Sequence, residues 1–175
     1  MCGITGILFL KDNLKYKSII NNILNLQYNR GPDFNSLYQN NNIILGHNRL
    51  SILDLSPLGN QPMETNEGVI CYNGEIYNFL DLKNDILKEK PNFKFNGSSD
   101  TEILTNYISI FGMEETLNKI NGIYAFAYYD KVNKKIHLVR DRLGIKPLYY
   151  TFIDDALIFA SNLSAFSSKV KPILS

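Results

Sequence analysis

The sequence predicts an α+β fold in which two mostly antiparallel sheets are covered by helices. Strand-like runs come first, amphipathic segments follow, and four further strand-like runs separated by short polar turns complete the pattern. This order differs from the regular alternation of strand and helix that builds parallel sheets. The element order and the short turns together therefore favour antiparallel pairing in a layered arrangement.

The first third of the chain predicts three strands and one helix. The run CGITGILFL at 2–10 is apolar and rich in β-forming residues, which is typical of a buried strand. Residues 15–29 carry Ile and Leu at helical spacing and predict an amphipathic helix that ends before Gly31–Pro32. Residues 36–55 predict a hairpin with the Asn run 40–42 as its turn.

The middle of the chain predicts a loop, a strand and two helices. Residues 56–68 hold two prolines and two glycines without periodicity, which indicates a loop long enough to carry function. A strand follows at 69–78, with its end near Asn73-Gly74-Glu75, and an amphipathic helix covers 78–90. Ser99 and Glu102 have the spacing of a capping box, so the third helix begins there. The four later β-rich runs lie at 122–130, 134–141, 147–152 and 156–161.

Composition narrows the classes of function. The 175 residues fit one domain, and a net charge of +1 gives no general attraction to nucleic acid or to a membrane. Cys2 and Cys71 are too few for a disulfide scaffold or a structural zinc site, although a bridge between them stays open. The chain shows no signal peptide, no apolar run of membrane-spanning length and no metal-ligand cluster. We therefore expect a reduced, cytoplasmic protein that needs no metal.

Cys2 directly follows the initiator methionine, and this position has chemical consequences. If Met1 is removed, one residue carries both a thiol and a free α-amine. That amine has an ordinary pKa of about 7.7–8.0, so part of it is neutral near pH 7 and can accept the thiol proton. A positively charged neighbourhood would further favour the thiolate. The position alone also fits a small residue that opens a strand.

Seven short motifs carry a resemblance that extends over nearly the whole chain. In chain order they are MCGI at 1–4, RGPD at 30–33, GHNRLSILDLS at 46–56, NQPM at 60–63, NGEIYN at 73–78, SDTE at 99–102 and RDRLGIKPLYY at 140–150. Together they resemble the glutaminase domain of asparagine synthase and its relatives, the class II glutamine amidotransferases, and RGPD is most similar to the asparagine-synthase branch. The resemblance implies the N-terminal-nucleophile (Ntn) fold, a four-layer αββα sandwich, and hydrolysis of L-glutamine to glutamate and ammonia.

The resemblance assigns Cys2, Asn73 and Gly74 to catalysis. Cys2 is the implied nucleophile, whereas the Asn73 side-chain amide and the Gly74 backbone N–H form the implied oxyanion hole. Each such donor typically contributes about 2.7–4 kcal/mol to lowering the barrier. The alternative for Asn73-Gly74 is a plain hairpin turn, since this dipeptide is common in type I′ turns.

The resemblance also assigns residues to substrate binding. Arg49 is the implied partner of the substrate carboxylate, because a guanidinium holds a carboxylate with two parallel bonds. Asp100 and Glu75 would face the substrate ammonium, and Asn73 and Gly74 would contact the amide. The alternative for Arg49 is a surface arginine at a strand end. For Asp100 it is a carboxylate favoured by a helix dipole, and for Glu75 it is a solvated hairpin residue. We expect Leu50, Ser51 and Ile52 to line the pocket or to offer backbone groups to the ligand.

The remaining motif residues predict scaffolding. Arg30 and Asp33 of RGPD are expected to order the loop near Cys2, and RDRLGIKP to form strand and turn structure. His47 is expected to be a packing or hydrogen-bonding residue, and His137 to lie on a strand face. Cys71 is expected to be a small buried apolar residue.

Residues 1–163 are predicted to form the glutaminase domain, and 164–175 to lead toward a synthetase domain. That domain, supplied in cis or in trans, would receive the ammonia and would hold the ATP and Mg that the glutaminase domain does not need. The chain would then be either truncated, which we favour, or a stand-alone subunit. No nucleic acid or membrane partner is expected, and a homodimer is left open. Two other functions stay open: a non-catalytic glutamine-binding regulatory module, and an Ntn hydrolase of another amide.

Overall fold

The structure is a computed structural model that describes residues 1–10, 14–166 and 173–174. Within these residues the strands, in chain order, are β1 (Gly3–Phe9), β2 (Phe34–Asn40), β3 (Ile43–Arg49), β4 (Met63–Glu64), β5 (Gly68–Ile76), β6 (Gly122–Asp130), β7 (Lys135–Arg140), β8 (Tyr149–Ile153), β9 (Ala156–Ala160) and β10 (Ile173–Leu174). The α-helices are α1 (Leu14–Leu26), α2 (Phe79–Glu89), α3 (Asp100–Phe111) and α4 (Met113–Lys119).

The strands form two antiparallel sheets. The first sheet has the order β10-β8-β9-β1-β3-β2, and the second has the order β4-β5-β6-β7. Each pairing is antiparallel. The predicted α+β class with antiparallel sheets is therefore confirmed.

Three apolar cores lie between four layers, which are α1, the first sheet, the second sheet, and α2 with α3. Ile7, Phe9 and Ile44 of the first sheet pack against α1. Ile4, Leu45 and Cys71 belong to a core between the sheets, whereas Ile70 and Tyr72 pack against α2 and α3. Successive strand residues point to opposite faces, so odd and even positions of β1, β3 and β5 enter different cores. A one-residue slip in register would exchange these faces, which is why the register is firmly specified.

The structure differs from the sequence-based prediction in several elements. Residues 50–56 leave the sheet instead of extending the predicted hairpin, and the predicted loop 56–68 contains a 3-10 turn, Pro57–Gly59, and the short β4. Helix α4 was not predicted; it begins after Gly112, whose φ of 85° ends α3. In the predicted exit segment, residues 167–172 and 175 lie outside the described residues, whereas β10 pairs with β8.

The described helices are too short or too polar to cross a lipid bilayer.

Candidate active site

A cavity of about 150 Å³ opens beside the start of β1, the end of β3, the middle of β5 and the start of α3. Eight of the nine predicted site residues line it, and Ser51 does not. The lining residues are Met1, Cys2, Arg49, Leu50, Ile52, Leu53, Asp54, Gly59, Gln61, Tyr72, Asn73, Gly74, Glu75, Ser99, Asp100, Thr101 and Lys146. The fold thus brings together residues as far apart in sequence as Met1 and Lys146.

The pairing of β1 with β3 places Cys2 beside the loop after Arg49, because Gly3 lies opposite Asn48. The Leu50 backbone N–H donates to Cys2 Sγ at 3.4 Å, and the thiol lies 3.6 Å from the Leu50 carbonyl oxygen. Burial raises the pKa of the Cys2 thiol, and the Leu50 backbone bond and the nearby positive charges oppose this only in part. The positive charges near Cys2 therefore favour the thiolate less than burial disfavours it. The thiol needs a base to lose its proton near neutral pH. Both Cys2 and Cys71 are free thiols, so the open alternative of a bridge between them is wrong.

Arg49 is the last residue of β3 and is only 6% exposed, so the alternative of a surface arginine is wrong. Its Nη1 donates to the Ser56 carbonyl at 2.8 Å and to Asn60 Oδ1 at 2.7 Å, and its Nη2 donates to the Asp54 carbonyl. These bonds hold the guanidinium in one orientation at the cavity wall.

Asn73 and Gly74 lie within β5 rather than at its end. They are paired with Ala125 and Tyr124 of β6, so the alternative of an Asn-Gly hairpin turn is wrong. The Asn73 side chain is 2% exposed, and its Nδ2 has no hydrogen-bond partner within the described residues. Buried donors are nearly always paired, so this orphaned N–H at the cavity wall is available to a ligand oxygen.

Asp100 begins α3, which Ser99 caps by accepting from the Glu102 backbone N–H at 3.2 Å. Its carboxylate is buried and accepts from the Tyr72 hydroxyl at 2.7 Å and from the Ile76 backbone N–H at 3.1 Å. Burial, assisted by the charge of Glu75, raises the pKa of Asp100, while the Tyr72 bond opposes the rise. A cationic group in the cavity would favour the charged form.

Glu75, Ser51 and Ile52 are less enclosed. Glu75 is exposed at the rim, and Ile52 is 72% exposed although it lines the cavity. The Ser51 backbone N–H donates to Asp33 Oδ2 at 2.7 Å, which turns this residue toward the RGPD segment.

The RGPD segment supports Cys2 and the loop after β3, as predicted. Arg30 Nε donates to the Cys2 carbonyl at 3.0 Å, and Asp33 holds the Ser51 amide. Gly31 lies so close to β3 that a Cβ would be 2.3 Å from the Asn48 carbonyl oxygen. Only glycine fits at this approach.

The two histidines lie outside the cavity lining. His47 is fully buried, and its Nε2 lies 3.2 Å from the Tyr72 carbonyl, to which it donates. Burial lowers the pKa of His47 to about 4. His137 is half-buried on β7, and Cys71 is fully buried with its thiol pKa raised by desolvation. These positions agree with the scaffolding roles predicted for the three residues.

Sequence reasoning missed several supporting residues. Gln61 accepts from the Tyr72 backbone N–H at 2.6 Å through Oε1 and donates to Thr101 Oγ1 at 3.3 Å. The NQPM motif marked Gln61 without giving it a role, and nothing in the local pattern marks Tyr72 as the partner of Asp100. Lys146, in the RDRLGIKP segment expected to be scaffolding, also lines the cavity.

The described residues contain no cluster of three or more His, Cys, Asp or Glu side chains suited to a metal. The groups that line the cavity include a thiol, an unpaired amide donor, a guanidinium and the carboxylates of Glu75 and Asp100, with Asp54 and Lys146 also at its wall. This set fits a small amino acid that carries both charges and presents a carbonyl to the thiol.

Comparison with known proteins gives the family. The model of the family described as "Glutamine amidotransferase domain" matches residues 1–173. Asparagine synthetase [glutamine-hydrolyzing] 3 of Bacillus subtilis is 36% identical over 171 residues, which cover 94% of this chain and 27% of the relative. Asparagine synthetase [glutamine-hydrolyzing] 2 of Arabidopsis thaliana is 34% identical, covering 100% of this chain and 30% of the relative. The chain thus spans less than a third of the length of these curated relatives.

A solved structure of glutamine phosphoribosylpyrophosphate amidotransferase from B. subtilis superposes with a TM-score of 0.80. It is 21% identical, and the match covers 98% of this chain and 44% of the other. This likeness confirms the predicted Ntn sandwich. The chain therefore belongs to the glutamine amidotransferase domain family, in its class II form related to the asparagine synthetases.

Proposed function

We propose that this domain hydrolyses L-glutamine to L-glutamate and ammonia, with Cys2 as the nucleophile after Met1 is removed. The observation that carries the proposal is the position of the Cys2 thiol. It shares one cavity with an unpaired amide donor on Asn73, a guanidinium on Arg49 and a carboxylate on Asp100.

Glutamine recognition follows from the charges around the cavity. Arg49 binds the substrate α-carboxylate, for which its guanidinium is held ready by three hydrogen bonds to loop oxygens. Asp100 binds the α-ammonium from the buried side, and Glu75 binds it from the rim. Leu50 and Ile52 line the side of the cavity next to the thiol, and Ser51 between them is held by Asp33. The carboxamide is thereby directed at Cys2.

Removal of Met1 supplies the base. With Met1 present, the Cys2 nitrogen is part of a peptide bond and Met1 itself lines the cavity. Its removal frees an α-amine of ordinary pKa of about 7.7–8.0 next to the thiol. Because burial raises the thiol pKa, an adjacent base is needed to form the thiolate near neutral pH.

The reaction then runs in two halves. The α-amine takes the thiol proton, and Cys2 Sγ attacks the carboxamide carbon to form a C–S bond. Asn73 Nδ2 and the Gly74 backbone N–H donate to the oxyanion. The C–N bond breaks as the α-ammonium returns its proton to the leaving nitrogen, which departs as ammonia. Water, deprotonated by the same amine, cleaves the thioester to glutamate and restores the thiol.

The destination of the ammonia is the part of the proposal that extends beyond this domain. Residues 1–163 form the glutaminase domain, and 164–175 lead toward a synthetase domain in cis or in trans, which uses ATP and Mg. The support is that the two relatives described above are named asparagine synthetases and are more than three times longer than the match. We place the reaction in the cytoplasm, since both cysteines are free thiols.

A glutamine-mimicking electrophile tests the proposal. The protein with Cys2 at its N-terminus is incubated with a diazoketone analogue of L-glutamine, and labelled peptides are mapped by mass spectrometry. We expect one label on Cys2, blocked by free L-glutamine, and release of ammonia from glutamine. The Cys2→Ala variant should lose both signals, and the Cys71→Ala variant should keep both.

Three outcomes would contradict the proposal. Turnover by Cys2→Ala protein would exclude the nucleophile. Full turnover by protein that retains Met1 would exclude the α-amine as base. Glutamine binding without turnover by protein lacking Met1 would instead indicate a regulatory module.

A further inference from the structure

The carboxylate of Asp54 joins two loops that are far apart in sequence. Its Oδ1 accepts from the Ser56 backbone N–H at 2.8 Å and from the Ser56 hydroxyl at 2.6 Å. Its Oδ2 accepts from the Ser98 backbone N–H at 3.0 Å and from the Ser98 hydroxyl at 3.3 Å. We call these three residues, Asp54, Ser56 and Ser98, the recognition clasp.

One end of the recognition clasp holds Arg49. The Arg49 guanidinium donates to the Asp54 backbone carbonyl through Nη2 and to the Ser56 carbonyl at 2.8 Å through Nη1. The carbonyl oxygens that orient the guanidinium thus belong to the residues that the Asp54 carboxylate fixes.

The other end of the recognition clasp lies at the start of α3. Ser98 precedes Ser99, which caps the helix whose first residue is Asp100. The Glu102 carboxylate accepts from the backbone N–H groups of Asn96 and Gly97 at 2.7 and 2.8 Å. The segment that contacts Asp54 is therefore tied to the first turn of α3, and any shift of Ser98 moves the helix start.

Two glycines allow this close approach. A Cβ on Gly97 would lie 2.9 Å from Asp54 Oδ2, and a Cβ on Gly59 would lie 2.3 Å from Arg49 Nη2. Larger residues at either position would push the clasp or the guanidinium away.

We infer that Asp54 is a positioning residue that sets the spacing between Arg49 and Asp100, the two groups that recognise the charged ends of glutamine. The inference rests on the proposed function. Asp54 is 8% exposed and both its oxygens have two donors each, so it acts through its neighbours although it borders the cavity. Glutamine must satisfy Arg49 and Asp100 at once, so loss of the fixed spacing weakens recognition of the whole amino acid more than attack on the amide.

The Asp54→Asn variant tests the inference with two substrates. L-glutamine carries both charged groups, whereas glutaric acid monoamide keeps the carboxamide and the carboxylate but lacks the ammonium. We expect the KM for L-glutamine to rise roughly tenfold, the size of one lost charge-assisted hydrogen bond, with kcat little changed. The preference for L-glutamine over the monoamide should fall by a similar factor. Ser98→Ala, which removes a single bond, should show the same pattern more weakly and serves as the decisive variant if Asp54→Asn does not fold.

Asp130→Asn is the matched control. Asp130 also accepts from backbone N–H groups, those of Val132 and Asn133 at 2.9 and 2.8 Å, but it lies at the end of β6 and does not line the cavity. We expect it to keep the wild-type KM and substrate preference even if its thermal stability falls.

The outcomes separate the two proposals. If the wild type is active but the Asp54→Asn and Ser98→Ala variants keep its KM and its substrate preference, the positioning role of Asp54 is wrong and the proposed function stands. An equal loss of rate on both amides also overturns the positioning role, because that is a general folding or catalytic defect. If wild-type protein that begins with Cys2 hydrolyses neither amide, the proposed function is wrong. The positioning role of Asp54, which rests on that function, is then wrong as well.

Discussion

Arg30 Nε donates a 3.0 Å hydrogen bond to the backbone carbonyl oxygen of Cys2. The two residues are 28 positions apart, and Arg30 reaches Cys2 from the short 3-10 turn Tyr28–Arg30 after α1. Terminal residues are poorly ordered unless something ties them down. The guanidinium therefore fixes Cys2, the proposed nucleophile, near the start of the chain.

Replacement of Arg30 by lysine should slow the reaction of Cys2. Lysine keeps the charge but lacks the planar donor group, so the Cys2 carbonyl loses its partner. We expect the rate of labelling by the diazoketone analogue to fall about tenfold, the effect of roughly one hydrogen bond. Arg142→Lys, at an exposed position, is the control and should be labelled at the wild-type rate. An equal rate for Arg30→Lys would exclude this anchoring role.

The alkylation of Cys2 should depend on pH in a direction set by burial. In protein that retains Met1, burial raises the thiol pKa while the charge of Arg49 lowers it in part. Because the thiolate is the reactive form, iodoacetamide labelling should rise only above the ordinary thiol range. Arg49→Gln should move the midpoint to still higher pH. The measurement uses a Cys71→Ser background, and a midpoint below the ordinary thiol value would contradict the burial argument.

Local signals account for what the sequence predicted well. Strands β1 and β3 follow from β-forming apolar runs, and the start of α3 follows from the Ser99 cap, which the structure contains. Each of these signals depends on residues a few positions apart. The predicted scaffolding role of RGPD also agrees with the geometry, because Gly31 and Pro32 end the helical pattern where the chain returns toward β3.

Long-range contacts account for what the sequence did not predict. Asn73-Gly74 is locally a turn signal, but pairing with β6 overrides it and keeps both residues in a strand. The bond from Tyr72 to Asp100 and the bonds from Ser98 to Asp54 span 28 and 44 residues and leave no local pattern. Apart from RGPD, the motifs therefore identified the residues that face the cavity but not the residues that hold them in place.

His47 should make the protein less stable in mild acid. Its pKa is about 4 in the folded protein and about 6.5 when unfolded. As pH falls from 6.5 to 4 the unfolded chain binds a proton that the folded protein does not, so stability present above pH 6.5 is lost across this window. The expected loss is about 3 kcal/mol in the free energy of unfolding.

Urea unfolding at several pH values measures this loss. His47→Gln keeps a donor toward the Tyr72 carbonyl but does not titrate, so the pH dependence between 6.5 and 4 should be shallower than in the wild type. His137→Gln, which replaces the other histidine of the chain, is the matched control. A His47→Gln slope equal to that of the wild type would mean that another group is responsible.

Gly74→Ala should destabilise the second sheet. An added Cβ would lie 2.4 Å from the Ile123 carbonyl oxygen and 2.7 Å from Tyr124 Cα, both backbone atoms of β6. We expect the free energy of unfolding to fall by about 1–3 kcal/mol, the usual cost of overpacking. Gly3→Ala is the control, since its Cβ would meet neighbours at an ordinary 3.4 Å. Equal stability of the two variants would show that β5 and β6 separate without cost.

Asn73→Leu should separate stability from catalysis. The Nδ2 of Asn73 is buried without a partner in the described part of the chain, so it carries a desolvation cost in the free protein. Leucine has a similar size and no polar group, and the unfolding free energy should stay constant or rise. Hydrolysis of glutamine should fall about 10²–10³-fold, since Asn73 is one of the two proposed oxyanion donors.

Thermal unfolding and initial-rate assays on the same Asn73→Leu preparation measure both effects, and competition by L-glutamine against the diazoketone label reports binding. We expect binding within a few-fold of the wild type, because Arg49 and Asp100 are untouched. A loss of stability with unchanged turnover would assign Asn73 to the scaffold. A gain of stability with lost turnover is the pattern of a donor kept unpaired for the transition state, because such a donor costs folding free energy and finds a partner only when the oxyanion forms.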